Sequence, residues 1–140
     1  MVSLRFLLDT NVISEVMRPV ADPRVVRKMH QYEGRIAIAS IVWQELLFGW
    51  DRLPSSRRRA DIGDYLFQVV RPEMPILPYD QTAAEWHAKE RSRLMAIGHP
   101  PSFLDGQIAA TAKAHDLILV TFNRTHFEVF QGLEFDDWRS

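Results

Sequence analysis

The sequence contains no cysteine, so disulfides, thiolate zinc ligands and cysteine nucleophiles are all excluded. It also has no excess of either charge: the formal net charge is -1, which provides no overall attraction to nucleic acid or to an anionic membrane. No apolar run approaches the ~18 residues that indicate a membrane-spanning helix. Charged residues occur early, at Arg5 and Asp9, so we expect no signal peptide and a cytoplasmic location.

The remaining composition is that of an ordinary globular chain. Of its 140 residues, 46% are hydrophobic and 25% are charged, and the four tryptophans and eight phenylalanines provide material for one packed core. This length is typical of one domain, so we expect a single domain over residues 1–140.

Short apolar segments alternate with longer amphipathic segments along the whole sequence. The apolar segments predict buried strands at residues 4–8, 36–39, 76–77 and 117–120, with a final edge strand at 133–135. Helices are predicted at 11–17, 23–32, 40–49, 57–70, 81–98 and 103–114, and Asp22, Ser40 and Asp80 are expected to cap three of them. The alternation predicts an α/β fold, a mainly parallel central sheet of four to five strands with helices on both faces.

Four polar residues from distant parts of the sequence fall at corresponding places in this fold. Asp9 directly follows the first strand, and Asn123 lies just past the fourth. Glu45 lies in the first turns of the helix after the second strand, and Asp105 near the start of the helix before the fourth. Because functional groups collect at the carboxyl ends of parallel strands, we expect these four side chains to meet at one edge of the sheet.

Each of these residues also has a structural interpretation when it is considered alone. Asp9 would cap the helix that follows it, and Asp105 would complete a capping box with Ser102. Glu45 would be a solvated helix residue, and Asn123 a turn residue. The catalytic interpretation therefore depends on their joint placement.

Clustered carboxylates repel one another unless a cation lies between them. Mg²⁺ and Mn²⁺ prefer oxygen ligands, and both can assist phosphodiester hydrolysis by activating a bound water. The sequence has no cysteine and no G-x-S-x-G motif, so a nucleophile from the protein is poorly supported. An aspartate-nucleophile phosphatase on a similar sheet would need a second aspartate two residues after Asp9, where this sequence has Asn11.

Four sequence segments resemble those of PIN-domain proteins, specifically the VapC/FitB type of bacterial toxin from toxin–antitoxin pairs. They are LLDTNVISE at residues 7–15, the stretch 40–49 containing WQEL, DGQIAATA at 105–112, and LVTFN at 119–123 followed by Phe127. The resemblance extends over nearly the whole chain in the same order. The first and third segments are the more specific ones.

The resemblance implies a set of site residues and a function. Asp9, Glu45 and Asp105 would be the three acids that bind the metal, Asn123 would occupy the fourth catalytic position, and Thr10, Asn11 and Thr121 would support the site. Proteins of this type are Mg²⁺- or Mn²⁺-dependent RNA endonucleases, inhibited by a cognate antitoxin and usually dimeric. The resemblance therefore implies an RNA substrate, an antitoxin partner and a homodimer.

One position departs from the family pattern. Many relatives carry a further aspartate three residues after the fourth position, where this sequence has His126. With the neutral Asn123 beside it, this side of the site carries less negative charge, so we expect one metal ion rather than two. His87, His99 and His115 do not form the H-x-x-x-H spacing of a zinc site, and zinc is not expected.

Two further features have more than one interpretation. The basic run Arg57, Arg58 and Arg59 is either a solvated helix start or a contact for RNA phosphates or for an acidic antitoxin segment. Trp138 is expected to pack on the domain or on a partner. A non-catalytic binding module that keeps the scaffold remains an alternative to the enzyme, although all three main acids are present.

Overall fold

The computed structural model describes residues 3–140. Its five strands form one sheet in the order β3-β2-β1-β4-β5, and all neighbouring strands pair in parallel. The strands are β1 Phe6–Leu8, β2 Ile36–Ala39, β3 Ile76–Leu77, β4 Ile118–Val120 and β5 Phe135–Asp136. This arrangement confirms the predicted α/β class and its parallel sheet.

The connections between the strands contain all the helices. These are α1 Thr10–Val16, α2 Pro23–Gln31, α3 Ser40–Asp51, α4 Arg57–Tyr65, α5 Arg71–Glu73, α6 Gln81–Ala96, α7 Phe103–Ala114 and α8 Arg124–Phe127. Strands β2 and β3 follow one another on one side of β1, and β4 and β5 follow one another on its other side, so the order of strands in the sheet reverses at β1. Because parallel connections are right-handed, this reversal places helices on both faces, and β1 and β4 flank the point where the direction changes.

Strands β1 and β2 are short and apolar because both of their faces are covered. All residues of β1 and of β2 are buried, from Phe6 to Leu8 and from Ile36 to Ala39. Strand β1 begins two residues later than predicted, and β4 and β5 are each shifted by one or two residues from the predicted bounds. The positions of all five strands were therefore predicted correctly, with errors only at their ends.

Two of the three predicted helix caps are confirmed. The Asp22 carboxylate accepts a hydrogen bond from the Arg24 N–H at 2.9 Å, and the Asp80 carboxylate accepts one from Ala83 N–H at 2.9 Å. The predicted cap at Ser40 is wrong, because Ser40 is already the first residue of α3 and Ala39 is its N-cap. Strand β2 continues directly into α3, so the capping position falls on the last, buried residue of the strand.

The helix predicted at residues 57–70 is longer and less regular than expected. Helix α4 ends at Tyr65, a π-helical segment follows at Leu66–Val70, and α5 continues to Glu73. The wider π turns come directly before Pro72, whose ring would collide with the carbonyl of Gln68 in a regular α-helix. Within residues 3–140, no helix is both long and apolar enough to cross a bilayer.

Of the two places expected for Trp138, the domain or a partner, the structure shows it packed within the domain. Its side chain is fully buried; its ring lies 5.2 Å from that of Phe6 and 5.9 Å from that of Tyr32, centroid to centroid. Within the part of the chain that the structure describes, its buried indole nitrogen has no hydrogen-bond partner. The contribution of Trp138 to stability is therefore packing and not polar bonding.

We expect Trp138→Ala to lower the free energy of unfolding by about 3–5 kcal/mol, because it leaves a large cavity beside Phe6. Trp138→Phe keeps an aromatic ring and removes an N–H that is buried without a partner, so its loss should be much smaller. Urea unfolding followed by circular dichroism measures both variants. Equal losses for the two variants would contradict the packing argument.

Candidate active site

Asp9 occupies the position directly after β1, beside the end of β4. It is only 6% exposed, and its backbone N–H donates to the Val120 carbonyl at 2.9 Å. One carboxylate oxygen accepts from the Thr10 N–H at 2.8 Å, and the other accepts from the Thr121 hydroxyl at 2.8 Å. Asp9 is therefore the N-cap of α1, as its structural interpretation required. Its carboxylate also lies between the ends of β1 and β4.

The environment of Asp9 opposes its negative charge. Burial raises the pKa of this carboxyl above its ordinary value, and the hydrogen bonds from Thr121 and Thr10 lower the pKa only in part. The nearby negative charge of Asp105 raises the pKa further, while His126 lowers it. A buried carboxylate beside a second carboxylate is the arrangement that a bound cation would stabilise.

The segment after β4 forms the wall of the site next to Asp9. The Thr121 hydroxyl, which donates to Asp9, also accepts a hydrogen bond from the Asn123 N–H at 3.0 Å. The Asn11 side-chain carbonyl accepts a longer bond from the Phe122 N–H at 3.4 Å, which connects α1 to the same segment. Asn123 is exposed and is the N-cap residue of α8.

Asp105 lies in the first turn of α7. The Ser102 hydroxyl accepts a hydrogen bond from the Asp105 N–H at 3.1 Å, so the expected cap of α7 by Ser102 is present. The Asp105 carboxylate instead lies 3.3 Å from Nδ1 of His126, on α8. The sequence identified His126 as a departure from the family pattern, but its contact with Asp105 was not predicted.

A buried histidine supports the turn of α7 that carries Asp105. His87, on α6, is 3% exposed, and its Nδ1 lies 2.9 Å from the Tyr79 hydroxyl. Its ring packs directly on Gly106, where an added Cβ would collide with Nε2 and lie 2.7 Å from Cε1. Burial lowers the pKa of His87, and Arg91 lowers it further, so the neutral ring is favoured.

Sequence reasoning missed this support, although a signal was present. Ala83, His87, Glu90 and Leu94 are buried at helical spacing on α6, which places His87 on the inner face of that helix. Gly106, inside α7 and next to Asp105, indicated a close approach of another element.

Glu45 lies on α3, which packs against both α1 and α7. It lines a cleft of about 200 Å³ together with Thr10, Ser14 and Arg58. Within residues 3–140, Glu45 forms no ion pair or side-chain hydrogen bond, and the buried Thr10 hydroxyl also has no partner. Glu45 is thus near the residue that follows Asp9, but no direct contact joins it to Asp9 or Asp105 in the described part of the chain.

The donor groups at this edge suit a hard divalent ion. Within residues 3–140, no three histidine, aspartate or glutamate side chains lie close enough together to enclose a metal ion directly. Mg²⁺ is usually held by one or two carboxylates and several waters, so such a cage is not required. The unpartnered Thr10 hydroxyl and the destabilised charge of Asp9 are the observations that fit a cation here.

This chain belongs to the PIN-domain family, because the sequence profile of the PIN domain matches residues 6–131. It is 33% identical over 135 residues to Toxin FitB of Neisseria gonorrhoeae, covering 94% of this chain and 97% of that protein. It is 31% identical over 136 residues to the tRNA(fMet)-specific endonuclease VapC of Shigella flexneri, covering 96% of this chain and 98% of that protein.

Solved structures show the same relationship. The crystal structure of FitAcB from Neisseria gonorrhoeae superimposes with a TM-score of 0.87 at 33% identity, covering 96% of this chain and 99% of that chain. DNA-bound VapBC from Salmonella typhimurium superimposes with a TM-score of 0.84 at 27% identity, covering 96% and 98%. The resemblance to VapC/FitB toxins that the sequence motifs indicated is therefore confirmed.

We expect Gly106→Ala to destabilise the fold by about 1–3 kcal/mol, because the added methyl group has no space against His87. It should also displace Asp105 and weaken any function of that carboxylate. Gly49→Ala is the matched control: Gly49 is inside α3 with nothing near its missing Cβ, so this change should stabilise the fold by about 1 kcal/mol. Thermal unfolding measures the stability of both variants. Equal changes in stability would show that the contact of Gly106 with His87 does not limit the residue at position 106.

We expect metal-free Asp9→Asn to be more stable than the parent chain at neutral pH. Since the folded state raises the pKa of Asp9 above its ordinary 3.8, the carboxyl favours folding most at low pH, and this contribution is lost as pH rises through the raised pKa. The advantage of the asparagine variant should therefore shrink as pH falls toward 4. Urea unfolding in EDTA at several pH values tests this, and a variant that is less stable at every pH would contradict it.

Proposed function

We propose that this chain is a single-domain, metal-dependent endoribonuclease that acts as the toxin of a type II toxin–antitoxin pair. The observation that carries the proposal is the buried Asp9 carboxylate at the point where the sheet reverses direction, with Asp105 close enough to affect its pKa. Relatives that match over nearly the whole chain are named as a toxin and as an RNA endonuclease, which supports this reading of the site.

In the proposed site, Asp9 and Asp105 lie near each other, and Glu45 lies apart from them in the cleft. Asp9 and Asp105 would hold one Mg²⁺ or Mn²⁺, and Glu45 would complete the site from the cleft beside Thr10. When bound, the ion would polarise the phosphate and activate a water for attack. Thr121 fixes the orientation of Asp9 through its hydroxyl, and Nδ1 of the exposed His126 lies 3.3 Å from the Asp105 carboxylate.

The lack of a carboxylate at Asn123 and at position 126 favours one ion over two. Asn123 is exposed, and His126 lies against Asp105 instead of adding a carboxylate. A second divalent ion would have few anionic ligands on that side. A cognate antitoxin, a homodimer and a cytoplasmic location belong to the same proposal and remain predictions for this chain. Only the antitoxin has support from solved structures of relatives, which are toxin–antitoxin complexes.

We expect the purified chain to cleave RNA only when Mg²⁺ or Mn²⁺ is present. Asp9→Asn and Asp105→Asn should each reduce cleavage by at least about a hundredfold, since losing even a residue that only orients a metal ligand costs about 10- to 100-fold. Asp116→Asn is the control, because it removes the same charge at an exposed turn before β4 that asparagine tolerates. Gel assays with a labelled RNA measure cleavage.

Full activity in excess EDTA would overturn the metal mechanism. Absence of cleavage for the parent chain with either ion, together with unchanged folding, would favour the non-catalytic binding module. For the toxin assignment, induced expression in bacteria should arrest growth for the parent chain and for Asp116→Asn, but not for Asp9→Asn. Normal growth on expression of the active parent chain would contradict a toxin.

A further inference from the structure

The cleft that contains Glu45 has a single basic residue among its described lining residues. Helices α1, α3 and α4 border it, and Arg58 lines it together with Thr10, Ser14 and Glu45. The cleft is lined by Glu45, one acid of the proposed function, and by Thr10, whose N–H donates to the Asp9 carboxylate at 2.8 Å. An RNA backbone that enters this cleft would meet the positive charge of Arg58.

Arg58 is held in place by a backbone contact. Its Nη1 donates to the Met17 carbonyl at 2.9 Å, at the end of α1. A guanidinium has five N–H donors in a fixed planar fork, and this bond uses one of them. The contact orders the long side chain in advance, which reduces the entropy lost when the remaining donors bind a phosphate.

The two neighbouring arginines are placed differently. Arg57 and Arg58 are both exposed, but the Arg57 Nε lies 3.9 Å from Asp61, one turn later on α4 and outside the cleft. Arg59 lies over the Trp50 ring at 4.4 Å from the centroid, with Nη2 3.8 Å from Asp51. Of the basic run at the start of α4, only Arg58 lines the cleft with Glu45.

We propose that Arg58 binds a backbone phosphate of the RNA substrate other than the one that is cleaved, with the Ser14 hydroxyl as a second donor in the same cleft. This inference depends on the proposed function, because it takes the acids at Asp9 as the point of cleavage. A positive charge here also offsets the repulsion that the Glu45 carboxylate exerts on an entering phosphate. An RNA backbone is favoured over an acidic protein segment because the cleft is lined by Glu45, an acid of the proposed RNA-cleaving site, and by Thr10, which follows Asp9.

The test compares Arg58→Gln with Arg57→Gln in the Asp9→Asn background, where RNA is bound and not cleaved. Binding of a short single-stranded RNA oligonucleotide is followed by fluorescence anisotropy at several salt concentrations. We expect Arg58→Gln to weaken binding roughly tenfold and to reduce the slope of log K against log salt by about 0.7. Arg57→Gln should change affinity by no more than about twofold, because it removes the same charge outside the cleft.

Further measurements separate phosphate binding from a structural contribution of the contact with Met17. Arg58→Lys restores the charge without the planar fork, so it should recover the salt slope and only part of the affinity. In the active chain, Arg58→Gln should raise KM and leave kcat unchanged, as expected for uniform substrate binding. Urea unfolding of each variant shows whether the fold has been weakened.

Several outcomes would overturn the assignment. Equal affinity losses for Arg57→Gln and Arg58→Gln would show that only net charge matters. Unchanged RNA binding by Arg58→Gln, with weaker binding of a co-purified antitoxin, would make Arg58 a protein contact. If the Asp9→Asn chain binds no RNA, and the parent chain neither binds RNA in EDTA nor cleaves it with Mg²⁺ or Mn²⁺, the proposed function itself is wrong, and the assignment of Arg58 fails with it.

Discussion

The hydrogen bond from the Thr121 hydroxyl to the Asp9 carboxylate joins the ends of the neighbouring strands β1 and β4. It lies where the order of the sheet reverses, and parallel pairing of β1 with β4 puts the two residues side by side. The same carboxylate caps α1, so one buried anion sets the start of a helix and the edge of the sheet. The proposed active site is built around a carboxylate whose negative charge these hydrogen bonds stabilise only in part.

The remaining acids are positioned by helices with separate supports. Asp105 depends on the first turn of α7, which Ser102 caps and His87 supports from α6. Glu45 depends on α3, which leaves β2 without a loop. Because the three acids rest on different packing contacts, a change in one support can move one acid while the others stay in place.

The sequence predicted the sheet well, because buried strands follow local patterns, and it predicted the position of Asp9 at the end of β1. Buried strands are apolar on both faces, and Asp9 follows one of them directly. The cap at Ser40 was wrong because no local signal tells where a strand ends when a helix follows at once. The π turns before Pro72, the contact of His126 with Asp105 and the separate position of Arg58 each depend on tertiary packing, so no window of sequence could reveal them.

The close packing of His87 on Gly106 has a consequence for how this sequence can vary. An imidazole on α6 fits only because the facing position on α7 has no side chain. Among proteins that share this arrangement, a larger residue at position 106 requires a smaller one at position 87. The two positions are therefore expected to change together during evolution. The residue at position 87 in the helix interface would then influence where the neighbouring acid, Asp105, is placed.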